Sequence, residues 1–124
     1  MDIEIIKKKI NQDFDFLKKD IEGILLFGSY ALGFANSHSD IDVCLVLGNR
    51  VPKKIFYKIL SSPITEKYDI KLFEILPLYM KGEIIENNII VWAKNESELS
   101  YYLYPWRKLW NDQKIAYKKL NIEV

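Results

Sequence analysis

Two acidic residues separated by one apolar residue, Asp40-Ile41-Asp42, open the run DIDVCLVL at residues 40–47. In an extended strand alternate side chains share a face, so Asp40 and Asp42 point one way and Ile41 points into the opposite layer. Two carboxylates about 7 Å apart on one face repel each other unless a cation lies between them. Carboxylate oxygens are hard ligands, and two or three of them suit Mg²⁺, which also takes oxygens from a phosphate and from water. Upstream, Gly28-Ser29 closes the apolar run Ile24-Leu25-Leu26-Phe27. Gly28 lets a ligand approach the backbone and can take backbone angles closed to other residues. Ser29 offers a hydroxyl and the turn after it offers N–H donors, together a cradle for phosphate oxygens. No Gly-Lys-Ser/Thr follows and no GxGxxG is present, so neither a Walker A loop nor a dinucleotide fingerprint fits. The expectation is a metal–nucleotide complex held between two loop ends.

The elements that must position these residues follow from periodicity. Ile3, Ile6, Ile10, Phe14, Leu17 and Ile21 recur at three- and four-residue steps, which predicts an amphipathic helix over 2–20. Ile24–Phe27 suits a buried strand, and Tyr30–Phe34 a helical turn before the polar loop 35–39. Asp40–Leu47 is the next strand. Pro52 is placed as the first residue of a helix whose apolar face is Ile55, Phe56, Ile59 and Leu60, stopped by Ser61-Ser62-Pro63. Tyr68–Leu76 reads as a third strand, Leu78–Glu86 as a helix and Ile89–Trp92 as a short fourth strand. From about Ser97 to Leu120 the pattern is helical again, interrupted at Pro105. Helices alternating with strands predict an α/β or α+β architecture, a small mixed sheet flanked by helices.

Gly-Ser, ten intervening residues and Asp-x-Asp resemble the signature of the DNA polymerase beta-like nucleotidyltransferase superfamily. The short chain is similar to its minimal nucleotidyltransferase (MNT) branch, of the MntA-type antitoxin and protein adenylyltransferase kind. Tyr68-Asp69-Ile70 and the following Phe73-Glu74-Ile75-Leu76-Pro77-Leu78 extend the likeness, which covers about residues 20–95. The resemblance implies a polymerase beta-like nucleotidyltransferase fold. It implies an acceptor hydroxyl attacking the α-phosphate of ATP, with pyrophosphate leaving and two Mg²⁺ ions about 3.5–4 Å apart clamping the displacement. Asp40 and Asp42 would hold the ions, Asp69 would complete the set and could take the acceptor's proton, and Gly28 and Ser29 would bind phosphates. The family places the third carboxylate on a neighbouring strand, where both Asp69 and Glu74 are available. They have opposite parity in Tyr68–Leu76, and parity alone does not decide between them; the Tyr-Asp-Ile match favours Asp69. The branch also implies a partner, a HEPN-type toxin adenylylated on tyrosine by its antitoxin. The alternatives are a small-molecule or nucleic-acid acceptor, or an antitoxin that acts by contact without catalysis.

Composition sets the outer bounds. The chain has 124 residues, which suits a single nucleotidyltransferase domain over 1–124. With 49% hydrophobic and 28% charged residues it can build one packed core, so disordered and fibrous classes do not fit. Eighteen basic and seventeen acidic side chains leave a net charge of +1, which gives no electrostatic reason to expect nucleic acid or a membrane as a direct ligand. One cysteine cannot form an internal disulfide, no apolar run approaches the roughly 20 residues of a membrane span, and no leader pattern opens the sequence. A cytoplasmic location is the expectation. Cys44 reads as a buried filler, His38 as loop decoration, and Lys7–Lys9 and Lys118-Lys119 as solvated helix faces. The aromatic segment Tyr101–Trp110 reads as helix packing on the sheet, with partner docking as the other possibility.

Overall fold

A computed structural model describes residues 2–121. A four-stranded mixed sheet lies between two helical layers. The strands are β1 (Gly23–Phe27), β2 (Ile41–Val46), β3 (Tyr68–Leu72) and β4 (Ile89–Ala93), in the order β3-β2-β1-β4. β1 pairs antiparallel with both β2 and β4, while β2 and β3 run parallel. The parallel pair requires a crossover, which α3 (Pro52–Leu60) and the 3₁₀ turn Pro63–Glu66 supply.

Strand parity divides the core in two. Ile24, Leu26, Val43 and Leu45 face α1 (Ile3–Asp13) and α3, where Ile6, Ile10, Phe14, Leu17, Ile55 and Ile59 meet them. Leu25, Cys44 and Val46 face α4 (Leu78–Glu86) and α5 (Glu96–Lys119), against Phe73, Ile84, Ile85, Leu99 and Leu103. Most of these side chains are wholly buried, which at about 1.5–3 kcal/mol each makes their burial the main term holding the layers together.

Four expected elements change on folding. The helix over 2–20 ends at Phe14, whose N–H donates to Gln12 and Ile10 carbonyls, and a 3₁₀ helix carries Asp15–Asp20. The apolar stripe is nonetheless buried through Ile21, because the tighter winding keeps Leu17 under the sheet. β3 stops at Leu72, and Phe73–Ile75 forms a 3₁₀ turn, so Phe73 enters the core while Ile75 faces solvent. On α3 only Ile55 and Ile59 are buried; Phe56 and Leu60 lie on the outer side. The last helix is continuous from Glu96 to Lys119 through Pro105, with Asn95 as N-cap accepting from the Glu98 N–H at 2.9 Å. Its packing against α4 depends on Gly82, where a Cβ would stand 2.2 Å from the Trp110 ring. Trp106 meets Phe73 edge-on at 5.4 Å between ring centres, so the inner aromatics of this helix are core, while Tyr101 and Tyr104 face outward. No helix among the described residues is long and apolar enough to cross a membrane.

Candidate active site

The Gly28 bend forms because the chain must leave β1 and reverse at once into α2 (Ser29–Leu32). Gly28 has φ 70° and ψ −148°, a region essentially closed to residues with a Cβ. The turn is closed by hydrogen bonds from Leu32 N–H to the Gly28 carbonyl at 3.1 Å and from Phe34 N–H to the Ser29 carbonyl at 2.9 Å. Gly33 ends it in the left-handed region. The loop that returns to β2 is set by its own polar side chains: Asn36 Oδ1 accepts from the His38 N–H at 2.8 Å, and Ser39 Oγ accepts from the Asn36 N–H at 2.9 Å. Asp40 follows, exposed, one residue before β2 begins.

Strand register then brings three residues into one row. Phe27 of β1 is the Cα partner of Asp42, and Asp42 is the Cα partner of Asp69 across the parallel pair. Parity puts this row on the face that carries α4 and α5, since Asp42 alternates with Cys44 and Val46. The Asp42 carboxylate lies directly on the bend, where a Cβ at Gly28 would be 2.2 Å from Asp42 Oδ2. Gly28 is therefore needed twice, for its backbone angles and for the space Asp42 occupies.

The electrostatics are those of crowded carboxylates. Asp42 is raised from 3.8 to about 6, first by partial burial, then by the charge of Asp69 and a hydrogen bond with it, and then by the charge of Asp40. Lys71, on the same face of β3 as Asp69 and 3.5 Å from it, works in the opposite direction on Asp42. The sequence signal for Lys71 was its shared parity with Asp69, which spacing alone could not separate from an ordinary solvated lysine.

Glu74 goes elsewhere. In the 3₁₀ turn after β3 its carboxylate accepts from Leu47 N–H at 3.1 Å, Gly48 N–H at 3.1 Å and the Tyr102 hydroxyl at 2.9 Å. That is the far end of β2, about 17 Å along the strand from Asp42. The phenol of Tyr102 is pushed up, first by burial and then by this bond. Cys44 is buried and its thiol is pushed up by that burial, which suits packing and not reactivity.

Among the described residues no group of three or more His, Cys, Asp or Glu side chains is placed to hold a metal ion. Mg²⁺ does not require one: it is commonly held by one or two carboxylates, with phosphate oxygens and water completing the shell. Asp42 and Asp69, whose closeness raises Asp42, fit that requirement, because a divalent cation would relieve the repulsion between them.

Comparison with known proteins agrees with this architecture. The model of the family described as "Nucleotidyltransferase domain" matches residues 7–104. A Methanocaldococcus jannaschii protein named "Putative protein adenylyltransferase" is 48% identical over 90 residues, covering 73% of this chain and 70% of that protein. A second protein of that name from the same organism is 36% identical over 76 residues, 60% of this chain and 77% of the relative. Among solved structures, a chain from the crystal structure of a toxin-antitoxin with AMP-PNP superposes with a TM-score of 0.67 at 14% identity, covering 92% of this chain and 94% of that one. A chain from the tri-AMPylated Shewanella oneidensis HEPN toxin in complex with MNT antitoxin gives 0.64 at 12% identity, with 94% and 93% covered. At that identity the two structures speak for the fold alone, and they share it across nearly the whole chain. The family match and the 48% relative carry the rest: this chain belongs to the nucleotidyltransferase domain family and is a nucleotidyltransferase.

Proposed function

We propose that this chain transfers AMP from ATP to a tyrosine hydroxyl of a HEPN-type toxin, and so serves as the antitoxin of a toxin–antitoxin pair. The observation that carries the catalytic part is the Asp42–Asp69 pair, in register on neighbouring strands and seated on the Gly28 bend. The relatives named for protein adenylylation, and the fold shared with toxin–antitoxin structures, support the choice of donor, acceptor and partner.

In this reading Asp42 and Asp69 would hold Mg²⁺, and Asp40, whose charge also reaches Asp42, would join them when the ion binds. When bound, the ion draws charge from the phosphate oxygens and lowers the barrier to displacement at phosphorus. Gly28 and Ser29 receive the phosphates, because the missing Cβ leaves the backbone open and the Ser29 hydroxyl stands at the start of the turn. Asp69 lies on the side of Asp42 away from the bend, and there it orients the tyrosine hydroxyl and accepts its proton. The tyrosine oxygen forms a bond to the α-phosphorus as the bond from that phosphorus to the bridging oxygen breaks, and pyrophosphate leaves with the electron pair. Lys71, paired with Asp69 in the free chain, keeps this anionic site from being more repulsive still.

The test is incubation of the purified chain with α-labelled ATP, Mg²⁺ and a candidate HEPN-type partner protein. Label on a partner tyrosine, lost with Asp42→Asn, is the expected result. Inhibition of the partner without label, and unchanged in Asp40→Ala, would refute catalysis in favour of neutralisation by contact.

A further inference from the structure

The acidic pair has a cation of its own within reach. Lys71 shares a face of β3 with Asp69, and its Nζ stands 3.5 Å from Asp69 Oδ1. We propose that Lys71 is a displaceable counter-ion for this site: it neutralises the Asp42–Asp69 pair in the free chain, and it gives up Asp69 when a divalent cation binds. Lys71 thereby sets the affinity of the site for Mg²⁺ without itself being a ligand, which makes it a positioning residue. The inference rests on the catalytic reading above and extends it to what occupies the acidic site before the ion arrives.

Three observations carry it. The first is the choice of partner. Among the ion pairs of the described residues, Lys71–Asp69 is the one that includes a carboxylate of the site; the others join acidic groups elsewhere. The second is reach. The charge of Lys71 also favours the ionised form of Asp42, against burial and against the charges of Asp69 and Asp40. One ammonium therefore answers two carboxylates, which is the task a divalent ion would perform with twice the charge. Both cations cannot crowd the same oxygens without repelling each other.

The third observation is how loosely the pair is held. β3 is an edge of the sheet, with β2 on one side and no strand on the other. The Cα partner of Lys71 across the parallel pair is the buried Cys44, which offers the ammonium no second charge. The side chains of Lys71 and Asp69 are 38% and 47% exposed. Their 3.5 Å separation exceeds the about 2.7–2.9 Å of a tight charge-assisted hydrogen bond. A half-exposed pair of this kind is weak, and the ammonium sits on a flexible four-carbon stem that water solvates readily. An arginine fork could grip the carboxylate by two bonds; a lysine lets it go.

The experiment titrates Mg²⁺ into the full chain and into Lys71→Met, Lys71→Arg and Lys54→Met, without and with a non-hydrolysable ATP analogue. The thermal midpoint and the NMR shifts of the Asp42 and Asp69 backbone amides report binding. Lys54 is exposed on α3, which covers the other face of the sheet, so its loss shows the effect of net charge alone. Lys71→Met is expected to melt below the wild type in chelator, because the carboxylates have lost their counter-ion. It is also expected to bind Mg²⁺ about three- to fivefold more tightly, the factor that corresponds to a half-exposed ion pair, so the gap in midpoint narrows as the ion is added. Lys71→Arg should bind Mg²⁺ no more tightly than the wild type, and Lys54→Met should match it. A lysine that served only to finish the sheet edge would lower the midpoint equally with and without the ion. Wild-type or weaker Mg²⁺ affinity in Lys71→Met, or an equal gain in Lys54→Met, overturns the inference alone. If the wild-type amides and midpoint do not respond to Mg²⁺ even with the analogue present, the catalytic reading fails and the inference falls with it.

Discussion

Replacing Asp42 by asparagine should abolish nucleotidyl transfer and, in the absence of divalent ions, make the protein more stable. An ionisation displaced from 3.8 to about 6 corresponds to about 3 kcal/mol against the charged carboxylate. The group is half-buried and open to water on one side, and solvent screening reduces that to about 1 kcal/mol. The sign follows from proton uptake. Between pH 4 and 6 the folded chain holds a proton at Asp42 that the unfolded chain has released, so this group's contribution is fully present below about pH 4 and is lost as pH rises through about 6. The asparagine side chain would mimic the protonated form at every pH. Thermal melts in chelator should therefore show the two proteins equal at pH 4 and the variant about 4 °C higher at pH 7, from a difference of about 1 kcal/mol. Adding Mg²⁺ with nucleotide should raise the wild-type midpoint and leave the variant unmoved, because only the carboxylate pair gains a ligand. A variant less stable than wild type at pH 7 in chelator would refute the claim that these carboxylates repel each other when no cation lies between them.

Gly28→Ala should lose nearly all transfer activity and about 2–3 kcal/mol of stability, read by urea denaturation, since the new methyl meets both a forbidden backbone region and the Asp42 carboxylate. Glu74→Ala should cost about 2–3 kcal/mol by leaving the Leu47 and Gly48 N–H groups unpaired, while the affinity for Mg²⁺-nucleotide measured by calorimetry stays at the wild-type value. Pro105→Ala should stabilise by about 1–3 kcal/mol in the same urea assay, because an exposed proline inside a continuous helix withholds one hydrogen bond that alanine restores.

What the sequence disclosed, it disclosed through periodicity and spacing. Alternation in DIDVCLVL put Asp42 on the face of β2 that carries Cys44 and Val46, while Asp40 stands one residue ahead of the strand, and the apolar stripe from Ile6 to Ile21 marked the face of the first helix even though the helix itself gives way to 3₁₀ winding after Asp13. The four strands and their adjoining helices follow the turn residues closely. What stayed hidden depended on contacts between distant segments. Asp69 and Glu74 could not be separated by parity alone; β3 ends at Leu72, and Glu74 turns to cap backbone groups contributed by residues 47 and 48. Pro105 reads locally as an interruption, yet packing of Leu99, Leu103 and Trp110 against α4 and the sheet outweighs its missing N–H and carries the helix through.

The central claim is that Asp42 and Asp69, and not Glu74, form the acidic grip on a metal-bound nucleotide. Calorimetric titration of a Mg²⁺–ATP analogue into the wild type, Asp42→Asn, Asp69→Asn and Glu74→Gln at pH 7.5 tests it directly. The account predicts that the two aspartate variants lose Mg²⁺-dependent binding by at least about tenfold and that Glu74→Gln binds like the wild type. Wild-type binding by Asp69→Asn, or a loss in Glu74→Gln equal to that in Asp42→Asn, would contradict it.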